Sequence, residues 1–274
     1  MKKINICIAG NFNLAIDSCN FILKKFKNTN LYAIFNSNDD GIDKFQKSFK
    51  KYCKKKKIIK IINIKEAYEI PDLYFISLHF DKIIRIEKFK TKSLYNIHFS
   101  LLPKYKGMHT TAWPIINGEK FTGVTLHKID NGIDTGNIIS QIKFKISIND
   151  NAEKVFLNYM KYGVILFKKN LYKLINNNYT SLNQDMLESS YYSKNSIDFN
   201  NVIIDLNKTA FDIHNQIRAF IFKYYQLPSV KGHKIISSKI LKSKSKLKPG
   251  KIVSLSRKSL KISSIDYNLL LKIK

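Results

Sequence analysis

"INICIAGNFNLAIDSCNFILKKF" spans Ile4 to Phe26 and reads as a strand, a tight turn and a helix. Ile4 to Gly10 is a short apolar run closed by glycine, the length and flank of a buried strand. Leu14 to Phe26 then repeats apolar residues at helical spacing. The alternation continues outward from there. "LYAIF" (Leu31 to Phe35) predicts a second strand, stopped by "NSNDDG", and a helix is expected from Ile42 to Tyr52. "IIKIINI" (Ile58 to Ile64) reads as strand, Glu66 to Glu69 as a helical turn before Pro71, and "LYFISL" (Leu73 to Leu78) as a further strand. Strands alternating with helices predict an α/β class: a Rossmann-like, mostly parallel sheet with helices on both faces. The first strand-to-helix turn, "AGNFNLA", lacks Gly-x-Gly-x-x-Gly and is no Walker loop, which disfavours a dinucleotide site.

"GVTLHKI" (Gly123 to Ile129) and "IISQIKFKI" (Ile138 to Ile146) are expected strands, and Ala152 to Asn176 a long helix. The polar stretch from Asn177 to Ser196 marks a boundary. Beyond it a helix is expected from Ala210 to Phe222, then short strands with Lys248-Pro249-Gly250 as a turn and "KSKSK" (Lys242 to Lys246) as a loop. This divides the chain into a domain over 1–185 and a smaller β-rich, barrel-like module over 186–274.

The 274 residues are 44% hydrophobic, enough for a sizeable core. No run of eighteen uncharged apolar residues is present, so no membrane-spanning helix is expected. The start of the chain passes straight into strand-like sequence rather than a signal peptide, so a cytoplasmic protein is expected. Cys7, Cys19 and Cys53 show no paired or metal-ligand spacing, which fits a reduced compartment, no disulfide framework and no metal. The formal charge of +28 invites nucleic acid as a partner. Lysine rises together with isoleucine and asparagine all along the chain, however, and a basic pocket for a phosphorylated small molecule is the better reading.

Chemistry concentrates in "LYNIHFSLLPKYKGMHTTAW" (Leu94 to Trp113). Alternate residues of a strand share a face, so Asn96 and His98 point together. Pro103 closes the segment, placing His98 near a carboxyl end, where ligands of open α/β sheets bind. Asp134 in "IDNGIDTGNII" lies between Gly132 and Gly136, which permit a tight loop returning a carboxylate over the sheet. A carboxylate orients an imidazole, and an asparagine amide donates to a developing oxyanion. With no serine or cysteine nucleophile beside them, these are parts of an acyl-transfer site whose nucleophile is the substrate. His79 and His127 read as structural.

"NIHFSLLPKYKGMHTTAWPIINGEKFTGVTLHKIDNGIDTGNII" (Asn96 to Ile139) resembles the signature of the formyltransferases that use N10-formyltetrahydrofolate. The matching elements are Asn-x-His, Ser-Leu-Leu-Pro, a basic-glycine loop, Gly-Val-Thr and Asp-x-Gly-x-Asp-x-Gly. "IRAFIFKYYQLP" (Ile217 to Pro228) and "KPGKIV" (Lys248 to Val253) resemble the C-terminal module of some members. The resemblance implies that residues 1–185 form the catalytic domain and that Asn96, His98 and Asp134 are the catalytic trio. It implies a folate co-substrate whose pterin edge is held by the loop Phe80, Asp81, Lys82 and Ile83. A homodimer is the family expectation.

Among acceptors, the segment "YKGMHTTAW" (Tyr105 to Trp113) departs from the "WRGAAPIQ" of tRNA-directed members and resembles enzymes acting on dTDP-linked 4-amino- or 3-amino-dideoxy sugars of surface glycans such as O-antigen. Those enzymes often carry Gly-Lys-Asn where this chain has Gly10-Asn11-Phe12. The expected substrate contacts are Asn11, Tyr105, His109, Thr110 and Trp113, with Arg218 for a pyrophosphate and Phe222 and Tyr224 for a base. The alternatives are a methionyl-tRNA formyltransferase and a basic nucleotide- or tRNA-binding protein with an inactive site.

Overall fold

A computed structural model describes residues 3–58 and 60–274. The first half runs β1 (Ile4–Gly10), α1 (Phe12–Lys25), β2 (Thr29–Phe35), α2 (Phe49–Lys55), β3 (Lys60–Ile61), α3 (Ile64–Tyr68), β4 (Leu73–Leu78) and β5 (Leu94–His98). It continues with β6 (Lys106–Gly107), α4 (Trp113–Ile116), β7 (Phe121–Lys128), β8 (Ile138–Lys145), α5 (Ala152–Ile175) and β9 (Tyr191–Tyr192). The last part holds α6 (Ala210–Ala219), β10 (Ser229–Val230), β11 (His233–Lys244), β12 (Ile252–Leu255), β13 (Ser259–Ile262) and β14 (Tyr267–Ile273). The chain forms two compact units. One comprises Met1–Lys106, Gly123–Lys143 and Tyr159–Tyr191; the other comprises Gly107–Thr122, Phe144–Asn158 and Tyr192–Lys274.

The first unit is built on a seven-stranded sheet of order β3-β2-β1-β4-β5-β7-β8. β1 pairs in parallel with β2 and β4, β4 in parallel with β5, and β5 antiparallel with β7. The mostly parallel sheet of the sequence reading is therefore observed. β1 is central and its Ile6, Cys7, Ile8 and Ala9 are buried, which explains its unbroken apolar run. Gly10 is needed where β1 closes on β4: a Cβ there would lie 2.1 Å from the Leu78 carbonyl oxygen. Asn11 caps α1, accepting the Phe12 N–H at 2.8 Å. Leu14 of α1 meets α5 at Gly163, where a Cβ would stand 3.1 Å from Leu14 Cδ1. Cys7, Cys19 and Cys53 are all buried free thiols, and burial pushes each thiol's pKa upward.

Three expected elements differ. The helix from Ile42 begins only at Phe49, because Asp39, Asp40 and Asp43 draw the amides of Lys50, Gly41, Ile42 and Ser48 into local side-chain turns. The strand over Ile58 to Ile64 reduces to Lys60–Ile61, with Ile59 outside the described residues, because Asn63 and Glu66 form a capping box that starts α3. β11 runs through Lys242 to Lys244, where a loop is expected from composition.

The second unit carries a five-stranded antiparallel sheet of order β10-β11-β14-β13-β12. Ala210, Ile213, Ile217 and Ile221 pack against Val230, Ile235, Leu260, Ile262, Leu269 and Leu271. Each fully buried aliphatic side chain contributes roughly 1.5–3 kcal/mol. His214 is buried on α6, with Nε2 donating to the Ile148 carbonyl at 2.8 Å and Nδ1 accepting from the Ser238 hydroxyl at 2.7 Å. Burial, with the nearby Arg218 cation adding to it, lowers the His214 pKa below its ordinary value. The folded chain therefore holds this ring neutral, while the unfolded chain protonates it below about pH 6.5. Its contribution to stability is complete above that pH and is lost as the pH falls. The urea midpoint should drop between pH 7.5 and 5.5, and by less in His214→Asn; equal drops in both proteins would exclude His214 as the cause.

Candidate active site

Strand register assembles the site in the first unit. Asn96 on β5 faces His127 on β7, and His98 faces Thr125. Parallel pairing sets Ser77 of β4 against Asn96 and Leu78 against Ile97. The loop after β7 returns Asp134 to this face. Its conformation is fixed by side chains: Asp130 Oδ1 accepts the Gly132 N–H at 3.1 Å and the Thr135 hydroxyl at 2.7 Å. Gln184 Nε2 donates to the carbonyls of Asp134 and Gly136, both at 2.8 Å. Gly136 lies against the sheet so closely that a Cβ would stand 1.9 Å from the Lys128 carbonyl oxygen. Asp134 itself has φ 55°, in the left-handed region that aspartate and asparagine tolerate best.

The polar contacts are specific. Asn96 Nδ2 lies 3.1 Å from His127 Nε2 and donates to Asp134 Oδ1 at 3.2 Å. His127 Nδ1 must donate to the Lys128 carbonyl at 2.7 Å, since a carbonyl only accepts. His127 Nε2 therefore faces both the Asn96 amide and, at 3.5 Å, Asp134 Oδ1. His98 Nε2 donates to the Tyr105 carbonyl at 2.8 Å, and its Nδ1 stands 3.4 Å from Asp134 Oδ2. With Nε2 already carrying a hydrogen, Nδ1 and the carboxylate attract only when a proton sits between them. His98 is only 8% exposed and faces the Asp134 carboxylate with its second ring nitrogen.

Tyr105 reaches His98 through strained backbone, with φ 61°, and its own N–H donates to the Ser190 hydroxyl at 2.8 Å. Its ring is buried, and its carbonyl positions His98. His127, Gln184 and Ser190 were missed as site components. His127 was legible as the residue that an antiparallel partner strand would set beside Asn96; Gln184 and Ser190 lie in the polar stretch read only as a boundary. His127→Phe should lower kcat about 10- to 100-fold, with melting temperature and acceptor KM little changed. An unchanged kcat would deny His127 any part in orienting Asn96.

The other expected site residues are dispersed. Asn11 is 3% exposed, and its side chain accepts the Phe12 N–H and donates to Asn38. Arg218 is 4% exposed, with Nη1 donating to the Ser147 and Asp150 carbonyls and Nε to Asn215. Burial pushes its pKa down to about 10. It fastens the turn after β8. Phe222 is buried against Phe156 and Tyr225, packing rather than stacking on a base. Tyr224 is exposed. In the second unit His109 Nε2 donates to the Lys194 carbonyl at 2.8 Å, and Trp113 stacks on Tyr192 at 4.2 Å. Thr110 sits half-buried between them in sequence. In the loop after β4, Asp81 accepts from the Ser37 N–H and hydroxyl at 2.8 and 2.6 Å, while Phe80 is half-buried and Lys82 and Ile83 are exposed.

The carboxyl edge of a Rossmann-like sheet thus carries an amide, an imidazole and a carboxylate in mutual contact. The chain matches the formyl transferase family over residues 65–168 and the formyl transferase C-terminal domain over residues 196–273. An N-formyltransferase from Helicobacter canadensis, solved with folinic acid and dTDP-3-aminofucose, is 45% identical with a TM-score of 0.92, covering 99% of this chain and 100% of that one. WlaRD, a sugar 3N-formyl transferase solved with dTDP and 5-N-formyl-THF, is 46% identical with a TM-score of 0.92, covering 100% and 98%. A methionyl-tRNA formyltransferase of Clostridium tetani is 34% identical over 182 residues, 65% of this chain and 57% of that protein. The chain spans less than two thirds of the length of the first curated relatives it matches. The chain belongs to the formyltransferase family.

Proposed function

We propose that this protein moves the formyl group of N10-formyltetrahydrofolate to the amine of a dTDP-linked amino-dideoxy sugar, with the amine at C3. The observation that carries this reading is end-to-end similarity, at 45–46% identity, to two enzymes described with dTDP-3-aminofucose or as a sugar 3N-formyl transferase. A 4-N formyltransferase from Francisella tularensis is 23% identical and supports the fold alone. The reading extends to a cytoplasmic homodimer serving assembly of a surface glycan such as O-antigen. Residues 1–185 act as the catalytic domain and 186–274 as the accessory module.

The neutral amine attacks the formyl carbon, and the carbonyl electrons move onto oxygen. Collapse of the tetrahedral adduct breaks the bond to folate N10, which takes up the proton that the amine gives to Asp134. Asn96 would exchange its bond to Asp134 for one to the oxyanion, freeing Asp134 Oδ1 to take the proton released by the amine. Protonated His98, held by Asp134, would stabilise the growing negative charge together with Asn96. Backbone of Phe80, Asp81, Lys82 and Ile83 would hold the pterin edge, and His109, Thr110, Trp113 and Tyr224 are the remaining acceptor contacts. A methionyl-tRNA acceptor is the second reading, favoured by the similarity to the Clostridium tetani enzyme. Formyl-folate should be offered with dTDP-3-amino sugar, dTDP-4-amino sugar and charged initiator tRNA. Formylation of the 3-amino sugar is expected to dominate, and formylation of tRNA alone would reverse the assignment.

A further inference from the structure

Two aromatic residues leave the carboxyl edge of the central sheet in left-handed backbone. Phe12, just after β1, has φ 60°, and His79, directly after β4, has φ 61°. Histidine visits that region more readily than most residues, but phenylalanine there is a conformational outlier, and such outliers gather at ligand sites. Each is braced by an asparagine that is itself buried. Asn11 Oδ1 accepts the Phe12 N–H at 2.8 Å, and Asn36 Nδ2 donates to the His79 carbonyl at 3.0 Å.

The two rings meet, with centroids 5.5 Å apart and planes inclined at 41°. His79 lies 5.5 Å from Phe99, which stacks on Tyr159 at 5.0 Å and 11°. Register locates this row. Gly10 pairs with Leu78 and Leu78 with Ile97, so the residue after Leu78 stands level with His98. Phe12 lies beyond it on the β1 side. Core packing does not explain the pair, because Phe12 is only half-buried and His79 is exposed.

We propose that the Phe12 and His79 rings form the wall on which the pyranose of the acceptor rests, which rests on the sugar N-formyltransferase reading above. A deoxy sugar presents an apolar C–H face, and an aromatic ring offers a flat surface with a negative face to meet it. The 14-residue helix α1 begins at Phe12, and its positive end favours the diphosphate that the acceptor carries. The donor's pterin lacks that charge and calls instead for backbone at its edge. The wall therefore belongs to the acceptor, and Phe12 sets which sugar face can lie against it.

Phe12→Gly tests this, because glycine adopts φ 60° without strain and removes only the ring. The affinity for the dTDP-amino sugar should fall about tenfold, while that for dTDP alone and the KM for formyl-folate stay within twofold. Phe12→Tyr should keep the wild-type values. Equal loss for dTDP and dTDP-sugar, a rise confined to the donor KM, or no change in any of them would overturn the wall. Wild-type protein that formylates no amino sugar at all would instead overturn the reading beneath it.

Discussion

His98→Asn is expected to lower kcat for formyl transfer by about 10³-fold, while the Kd for the sugar nucleotide stays within a few-fold. The imidazole is nearly enclosed and makes two contacts, to the Tyr105 carbonyl at 2.8 Å and to Asp134 at 3.4 Å. Asparagine can keep the first as a donor. It cannot hold a proton between itself and the carboxylate, and so cannot present a cation to the oxyanion. Binding of the nucleotide draws on other residues, which is why rate and affinity should separate. Single-turnover transfer and calorimetric titration of the dTDP-sugar read the two quantities independently. A variant working at the wild-type rate would remove His98 from the chemistry.

Asp134→Asn should cost a comparable factor, on the order of 10³ in kcat, by a different route. The backbone at φ 55° suits asparagine as well as aspartate, and Gln184 still clamps the loop through main-chain carbonyls. The loop therefore keeps its shape and the charge alone disappears. The imidazolium then has no anion, Asn96 loses its second acceptor, and no group remains to receive the amine proton. A melting temperature within a few degrees of wild type should accompany the loss. A decline of less than tenfold would leave Asp134 only a role in shaping the loop.

The chain's alternation made the parallel sheet legible, because central strands buried on both faces are written as unbroken apolar runs. The residues brought together at its edge were legible for the same geometric reason: Asn96 and His98 are two apart on one strand, and glycines flank Asp134. What escaped were interactions with no periodic signature. His127 reads as one more strand residue until β7 is known to pair antiparallel with β5. Gln184 and Ser190 act across 48 to 85 positions of sequence, at single hydrogen bonds. The burial of Arg218 and Phe222 was not legible either. Their residue types suit a nucleotide, but a helix apolar on one face can bury its charge when carbonyls of a neighbouring turn receive it. The late start of α2 has a local cause, since acidic side chains compete for amides that a helix would otherwise use.

The three sealed thiols make the natural chain a convenient background for spectroscopic labelling. Burial of Cys7, Cys19 and Cys53 disfavours their thiolates, the form that attacks maleimides. Tyr224→Cys would place a thiol at a position 61% exposed to water. A fluorophore introduced there at neutral pH should attach at one site, with the native cysteines left in place.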